Sequence, residues 1–155
     1  MKITDILHPP LVMAEITSRD KESLLQAMAQ HLVQFGPPAL GTAERVLNAL
    51  LGREKLGSTG VGEGVAIPHA KLPGLSRLVA CFGRVPQGVP FAAVDEQPVK
   101  LVFMLLVPEN SAGAHLKALA RVSRLLKNPA FRVRLLSLPD GTAVYDAFVE
   151  EDAKY

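Results

Sequence analysis

The stretch VKLVFMLLV, residues 99–107, constrains the fold of this chain more than any other feature. Apart from Lys100 it is continuously apolar, and a second run, RLVACFG at 77–83, is nearly so. Apolar runs of this length without polar alternation are typical of strands buried on both faces. Such strands need a covering layer on each side of their sheet, and the rest of the chain must supply it.

Helical spacing of apolar residues predicts those covering layers. A helix is predicted after the cap-type residues Ser18 and Asp20, ending at the GPP triplet, and a second one after Thr42. Three more are predicted towards the C-terminus, and Pro129 is suited to the first turn of the middle one. These three cover residues 112–127, 129–137 and 140–150.

The remaining segments predict further strands. A strand at 11–16 follows a short N-terminal helical turn, GVAI at 64–67 is another, and 85–98 supplies turns with room for a short edge strand. Strands mixed with helices predict an α/β fold. We expect one three-layer domain over residues 1–155, with a mixed β-sheet of about five strands flanked by helices on both faces.

Composition narrows the classes of function. The net charge of +2 is too small, and the basic residues too scattered, to indicate nucleic-acid binding. The apolar run at 101–107 is far shorter than the ~20 residues of a bilayer-spanning helix, and the first ten residues do not resemble a signal peptide. Cys81 is the single cysteine, so no internal disulfide is possible. The sequence predicts a soluble, cytoplasmic protein without direct membrane insertion.

A glycine-rich segment, LGSTGVGEG at 56–64, precedes the predicted strand at 64–67. Gly57 and Gly62 have the first spacing of a nucleotide-binding phosphate loop, but Glu63 stands where that loop has lysine, and the order of helix, loop and strand is reversed. Ser58 lacks the flanking residues of a serine nucleophile elbow. The segment is therefore interpreted as a mobile connection or as a tight wrap around a neighbouring site.

Three residues are candidates for that neighbouring site. His69 follows Pro68 at the predicted end of the strand, where sites in open α/β sheets gather. Arg53 and His115 each continue the apolar stripe of a predicted helix, where a polar group must be paired or must point into a site. Each has a plain structural alternative: a solvent-edge histidine, a helix-capping arginine and a buried histidine bonded to backbone.

The chemistry open to these residues is limited. No carboxylate pair suited to glycoside hydrolysis is evident, and His69 and His115 lack the spacing of zinc ligands. A histidine is substantially neutral at cellular pH and can act as a nucleophile, and attack on phosphorus gives a phosphohistidine. Arg53, Lys71, the loop N–H groups and the helix start near His115 could then stabilise the phosphoryl oxygens.

Two segments resemble a known family. REKLGSTGVGEGVAIPHAK at 53–71 resembles the active-site signature of the fructose/mannitol-type enzyme IIA of the bacterial phosphotransferase system, and 102–128 resembles that family's second signature. The resemblance implies that His69 is phosphorylated by a histidine-containing phosphocarrier protein and that His115 and Arg53 line the site. It also implies a mixed sheet flanked by helices, with no metal or cofactor at this step.

Within that family, REKLGSTG looks most like the nitrogen-related branch. Members of this branch are regulatory ends of a phosphorelay and bind other proteins, including potassium-transport and sensor-kinase systems. A free-standing fructose or mannitol enzyme IIA that passes phosphate to a IIB domain is the alternative. A third possibility, from another class, is a pure binding module on the same fold.

We expect the phosphocarrier to dock on an apolar patch around His69, since in-line transfer requires a water-poor contact. The predicted patch consists of Leu72, Val61 and the loop glycines, with Glu63 on its rim facing a basic carrier. The residues predicted to contact substrate or partner are Ser58, Thr59, Gly60, Gly62, Glu63, Lys71 and Leu72.

Overall fold

The computed structural model describes residues Met1–Tyr155 as one α/β domain. Six strands are present: β1 (Val12–Met13), β2 (Gly60–Gly62), β3 (Val65–Ala66), β4 (His69–Lys71), β5 (Val79–Val89) and β6 (Val99–Val107). Five helices accompany them: α1 (Lys21–Phe35), α2 (Ala43–Glu54), α3 (Ala112–Lys127), α4 (Pro129–Ser137) and α5 (Gly141–Asp152). None of the helices is long and apolar enough to cross a bilayer.

The sheet is mixed, and β5 and β6 form its centre. The strand order is β1-β5-β6-β3-β2, and β4 also pairs with β6, beyond β3. β5 and β6 are antiparallel, whereas β1 is parallel to β5, and β3 and β4 are parallel to β6. Every residue of β6 except Lys100 is buried, as the apolar run predicted.

Neighbouring residues of β5 contact helices on opposite faces of the sheet. Phe82 packs edge-on against Phe148 of α5, with ring centroids 4.8 Å apart. A Cβ on the next residue, Gly83, would lie 2.4 Å from Ile16 and 3.3 Å from Met28 of α1 on the opposite face. Successive strand residues point to opposite faces, so α1 and α5 lie on different sides of the sheet. The predicted three-layer fold is confirmed.

The prediction of about five strands is wrong by one. β2 and β4 arise from the glycine-rich segment and from the residues after Pro68, neither of which has a strand-like apolar pattern. The predicted strand at 11–16 shortens to Val12–Met13, because the carbonyl of Ala14 accepts a hydrogen bond from the Arg84 guanidinium at 2.8 Å. β5 continues to Val89 through a register shift, where turns were predicted.

Candidate active site

His69 opens β4, which is level with Leu105 near the carboxyl end of β6. β3 ends at Ala66, as expected for a histidine placed at the end of that strand, but pairing with β6 resumes at His69, which opens a further strand that the sequence did not predict. The half-buried ring places Nδ1 2.8 Å from the carbonyl oxygen of Ile67. A carbonyl oxygen only accepts, so Nδ1 carries the proton and Nε2 keeps a free lone pair.

His115 lies beside this imidazole, although it comes from α3 in the opposite part of the chain. The two ring centroids are 5.2 Å apart, and the ring planes are inclined by 59°. Nε2 of His115 is buried and has no hydrogen-bond partner within the protein. Buried polar atoms are nearly always hydrogen-bonded, so this nitrogen, beside the His69 ring, is available to bond a group that enters the site.

The pKa of His115 is lowered from its ordinary value. Burial is the largest cause, followed by the electrostatic effects of His69, Lys71 and Arg53 nearby. Both kinds of cause disfavour a second proton, so the ring stays neutral over a wider range of pH. As a neutral imidazole it can act as a hydrogen-bond donor or acceptor without adding to the local positive charge.

A pH prediction follows from the lowered pKa of His115. Below the unfolded-state pKa, near 6.5, the unfolded chain takes up a proton that the folded ring resists. The contribution of the neutral His115 ring to the free energy of unfolding is therefore complete above that pH. It is lost as the pH falls towards the pKa of His115 in the folded protein. We expect wild type to lose stability relative to His115→Asn on acidification, measured by urea unfolding between pH 7.5 and 5. If the difference in free energy of unfolding between the two proteins stays constant over this range, the pKa of His115 is not lowered in the folded protein.

Arg53 lies in the last turn of α2, on the other helical layer. Its half-buried guanidinium donates from Nη1 to the carbonyl oxygen of Gly57 at 2.9 Å, just beyond the helix end. Lys71 is exposed and lies two residues after His69 in β4, so both side chains share one face of the strand. The structure thus brings two imidazoles and two cations to one place, between helices of both layers.

Most residues predicted to contact a partner through the glycine-rich segment have internal partners instead. The Ser58 hydroxyl donates to the carbonyl oxygen of Phe91 at 2.6 Å. Thr59 is buried, and its hydroxyl donates to Glu54. Gly60 is also buried, and a Cβ there would lie 2.8 Å from that of Ala93. The segment is therefore a fixed wrap and not a mobile connection, and the Ser58 and Thr59 hydroxyls are already engaged.

Leu72 and Gly62 are also withdrawn from the surface. Leu72 is 1% exposed, so the prediction that it contacts a docking partner is wrong. Gly62 is buried at φ +97°, a conformation that favours glycine. Glu63 is exposed as predicted for a rim residue; its N–H donates to Asp95 at 3.0 Å and its carboxylate lies 3.6 Å from Arg132. Val61 is 56% exposed and remains available to a partner.

Glu54 is a residue of this region that sequence reasoning missed. Its buried carboxylate binds Thr59 and Lys21. The signal was present, because Glu54 lies four residues after Leu50 and seven after Leu47 and so continues the apolar stripe of α2. The argument that singled out Arg53 applies equally to its neighbour.

Comparison with known proteins identifies the class. Residues 5–151 match the family model described as "Phosphoenolpyruvate-dependent sugar phosphotransferase system, EIIA 2". The chain is therefore a phosphotransferase-system component. Within that system it belongs to the EIIA 2 family, as the resemblance of its two signature segments indicated.

Individual relatives carry two kinds of name. The chain is 42% identical to a nitrogen regulatory protein of Bradyrhizobium diazoefficiens, over 94% of its own length and 93% of the relative's. It is 35% identical to a fructose-specific EIIA component of Haloferax volcanii, over 97% and 98% of the two lengths. The crystal structure of nitrogen regulatory protein IIA-Ntr from Neisseria meningitidis superposes with a TM-score of 0.87 at 32% identity, covering 94% of this chain and 98% of that one.

Proposed function

We propose that this protein accepts a phosphoryl group on Nε2 of His69 from a histidine-containing phosphocarrier protein, and that its output is regulatory. The observation that carries the proposal is the hydrogen bond from Nδ1 of His69 to the carbonyl oxygen of Ile67. This bond holds the ring in the tautomer that carries its proton on Nδ1. The lone pair of Nε2 is therefore free to attack phosphorus.

The transfer step needs no net proton movement at His69. The lone pair of Nε2 forms the new P–N bond, while the P–N bond of the donor's phosphohistidine breaks and its electron pair stays on the donor nitrogen. The ring becomes more positive, which strengthens the bond from Nδ1–H to the Ile67 carbonyl. Arg53 and Lys71 balance the charge of the phosphoryl oxygens, and Nε2–H of His115 donates to one of them.

The donor would dock on exposed apolar residues that flank the site. Leu56, three residues after Arg53, is 84% exposed, and Leu116, next to His115, is 66% exposed. They offer apolar area that a partner can cover, so that water is excluded from the two histidines during transfer. Val61 is exposed as well, but it lies beside Leu126 near the end of α3. Leu56 and Leu116 replace Leu72 in the expected docking surface.

The regulatory output rests on the similarity to nitrogen regulatory proteins over nearly the whole chain. We propose that the protein binds regulatory targets, such as potassium-transport or sensor-kinase systems, according to its phosphorylation state. The similarity to a fructose-specific EIIA component of nearly equal length favours a second candidate, transfer to a IIB domain for sugar uptake. A non-catalytic binding module would leave His69 unmodified.

Incubation with phosphoenolpyruvate and the purified general phosphotransferase proteins tests this function. We expect intact-mass measurement to show one phosphoryl group, labile in acid and stable in base, as a phosphoramidate on imidazole should be. An unchanged mass in the presence of an active donor would exclude the phosphorelay. Adding a fructose-specific IIB domain to the phosphoprotein then separates the two outputs, since rapid dephosphorylation would indicate sugar uptake and persistence of the phosphate a regulatory role.

A further inference from the structure

Glu54, at the end of α2, is a buried carboxylate with an unusually complete set of partners. Its side chain is 4% exposed, and Oε1 lies 2.6 Å from Nζ of Lys21, in the first turn of α1. The same oxygen accepts the N–H of Thr59 at 3.1 Å, and Oε2 accepts the Thr59 hydroxyl at 2.5 Å. Burial of a carboxylate is costly without such compensation. We call Lys21, Glu54 and Thr59 the Glu54 cluster.

A short series of hydrogen bonds connects this cluster to the acceptor imidazole. The carbonyl oxygen of Thr59 accepts the N–H of Ile67 at 3.0 Å. The carbonyl oxygen of Ile67 in turn accepts Nδ1–H of His69 at 2.8 Å. Two residues, Thr59 and Ile67, therefore connect the Glu54 carboxylate to the ring, each through its backbone N–H on one side and its carbonyl oxygen on the other. The link is one of position, because the N–H and the C=O of one residue belong to different peptide groups.

The cluster also bears on Arg53. The guanidinium of Arg53 donates to the carbonyl oxygen of Gly57, two residues before Thr59. Fixing Thr59 therefore limits where this carbonyl can lie, and with it the guanidinium. Two of the groups assigned to the phosphoryl transfer, the nucleophile and the arginine, are thus bound to backbone carbonyls that connect to the Glu54 carboxylate through Thr59.

Lys21 and the neighbouring Ser58 are also held by contacts with Phe91. Nζ of Lys21 lies 4.6 Å from the centre of the Phe91 ring, a cation–π contact. The Ser58 hydroxyl donates to the Phe91 carbonyl oxygen and accepts the N–H of Gly60. The segment 57–60 is thus held between the start of α1, the end of α2 and the chain at Phe91.

We propose that Glu54 is a positioning residue for phosphoryl transfer: with Lys21 and Thr59 it holds segment 57–60 and, through it, orients His69 and Arg53. The inference rests on the function proposed above. Phosphoryl transfer depends on alignment, and a displacement of about 1 Å can reduce the rate by about a hundredfold. Glu54 contacts neither the phosphoryl group nor the donor in this account.

Two substitutions test the role. Glu54→Gln places an amide N–H₂ against Lys21 or the Thr59 hydroxyl, and Thr59→Val removes the hydroxyl at almost constant volume. We expect each to lower the maximal transfer rate at saturating donor by about tenfold or more. The donor concentration for half-maximal rate should stay the same, because the docking surface is unaltered. Thr59→Ser keeps the hydroxyl and should restore the rate.

The chain offers a matched control in Asp152. This carboxylate is 3% exposed and pairs with Arg121 at 2.5 Å, and it also accepts the N–H of Ile3. Asp152→Asn should lower the melting temperature as Glu54→Gln does but leave the transfer rate unchanged. A wild-type rate in Glu54→Gln, or an equal loss of rate in Asp152→Asn, would overturn the positioning role.

A measurement on the unphosphorylated protein separates this proposal from the function on which it rests. The ¹⁵N shifts of the His69 ring should report a protonated Nδ1 and a bare Nε2 in wild type and in Asp152→Asn. In Glu54→Gln and Thr59→Val they should move towards the average of the two tautomers. Unchanged shifts would refute positioning, whereas a wild-type protein that takes up no phosphate would refute the proposed function and leave the shifts to decide the role of Glu54.

Discussion

The His69→Ala variant should accept no phosphoryl group, however long it is incubated with the donor. Nε2 of His69 forms the covalent bond, and neither Arg53 nor Lys71 offers a comparable nucleophile. His115 is adjacent, but its Nε2 is buried beside the other ring, and we assign it a hydrogen bond to phosphate instead of the covalent bond. Intact-mass measurement over hours, with wild type in parallel, is the test.

The fold of this variant should remain intact. The His69 ring is half-buried and makes a single hydrogen bond, to the Ile67 carbonyl, so its loss leaves the buried strands untouched. A melting temperature close to that of wild type would show that the missing phosphate reflects the missing nucleophile. Stoichiometric phosphorylation of His69→Ala would contradict the assignment of the acceptor.

His115→Ala should be phosphorylated slowly but to the same final stoichiometry. Its unpartnered Nε2 and its lowered pKa suit a neutral ring that donates to a phosphoryl oxygen during transfer. Loss of one such transition-state contact costs on the order of 2–4 kcal/mol, or roughly a hundredfold to a thousandfold in rate. Time-resolved phosphorylation, followed to completion, measures both the rate and the end point.

A structural role for His115 predicts a different pattern. If the ring served only to fill space beside β4, its removal would lower the melting temperature and leave the transfer rate almost unchanged. Thermal melting of the same variant separates the two outcomes. A normal transfer rate in a destabilised His115→Ala protein would show that His115 does not donate a hydrogen bond to the phosphoryl group during transfer. Arg53 and Lys71 would then be the groups that stabilise it.

The parts of the fold that the sequence predicts well are those with long, regular patterns. The apolar runs led to β5 and β6, and α3 and α4 were predicted with the bounds that the structure has. β2 consists of Gly60, Val61 and Gly62, whose composition argues against a strand, yet it pairs with β3. Gly60 also approaches Ala93 so closely that a Cβ there would lie 2.8 Å from the Cβ of Ala93. Arg84, bound to the carbonyl of Ala14, ends the first strand early through a contact 70 residues distant in sequence.

In the candidate site, too, the residues that interrupt a regular apolar pattern are predictable from the sequence, and those that depend on an unrecognised strand are not. Arg53 and His115 were found because a polar residue on an apolar helical stripe needs an explanation, and the structure places both near His69. Leu72 was misplaced because β4 was not recognised. Within that strand, alternation puts His69 and Lys71 on one face and sends Ala70 and the following Leu72 into the core.

The atom that carries the phosphoryl group is the most direct test of the central claim. NMR of the phosphoprotein labelled with ¹⁵N in its histidine rings would locate the phosphorus–nitrogen bond and the remaining proton. We predict phosphorus on Nε2 of His69, with Nδ1 still protonated and bonded to the Ile67 carbonyl oxygen. Phosphorus on Nδ1 of His69, or on His115, would contradict the account.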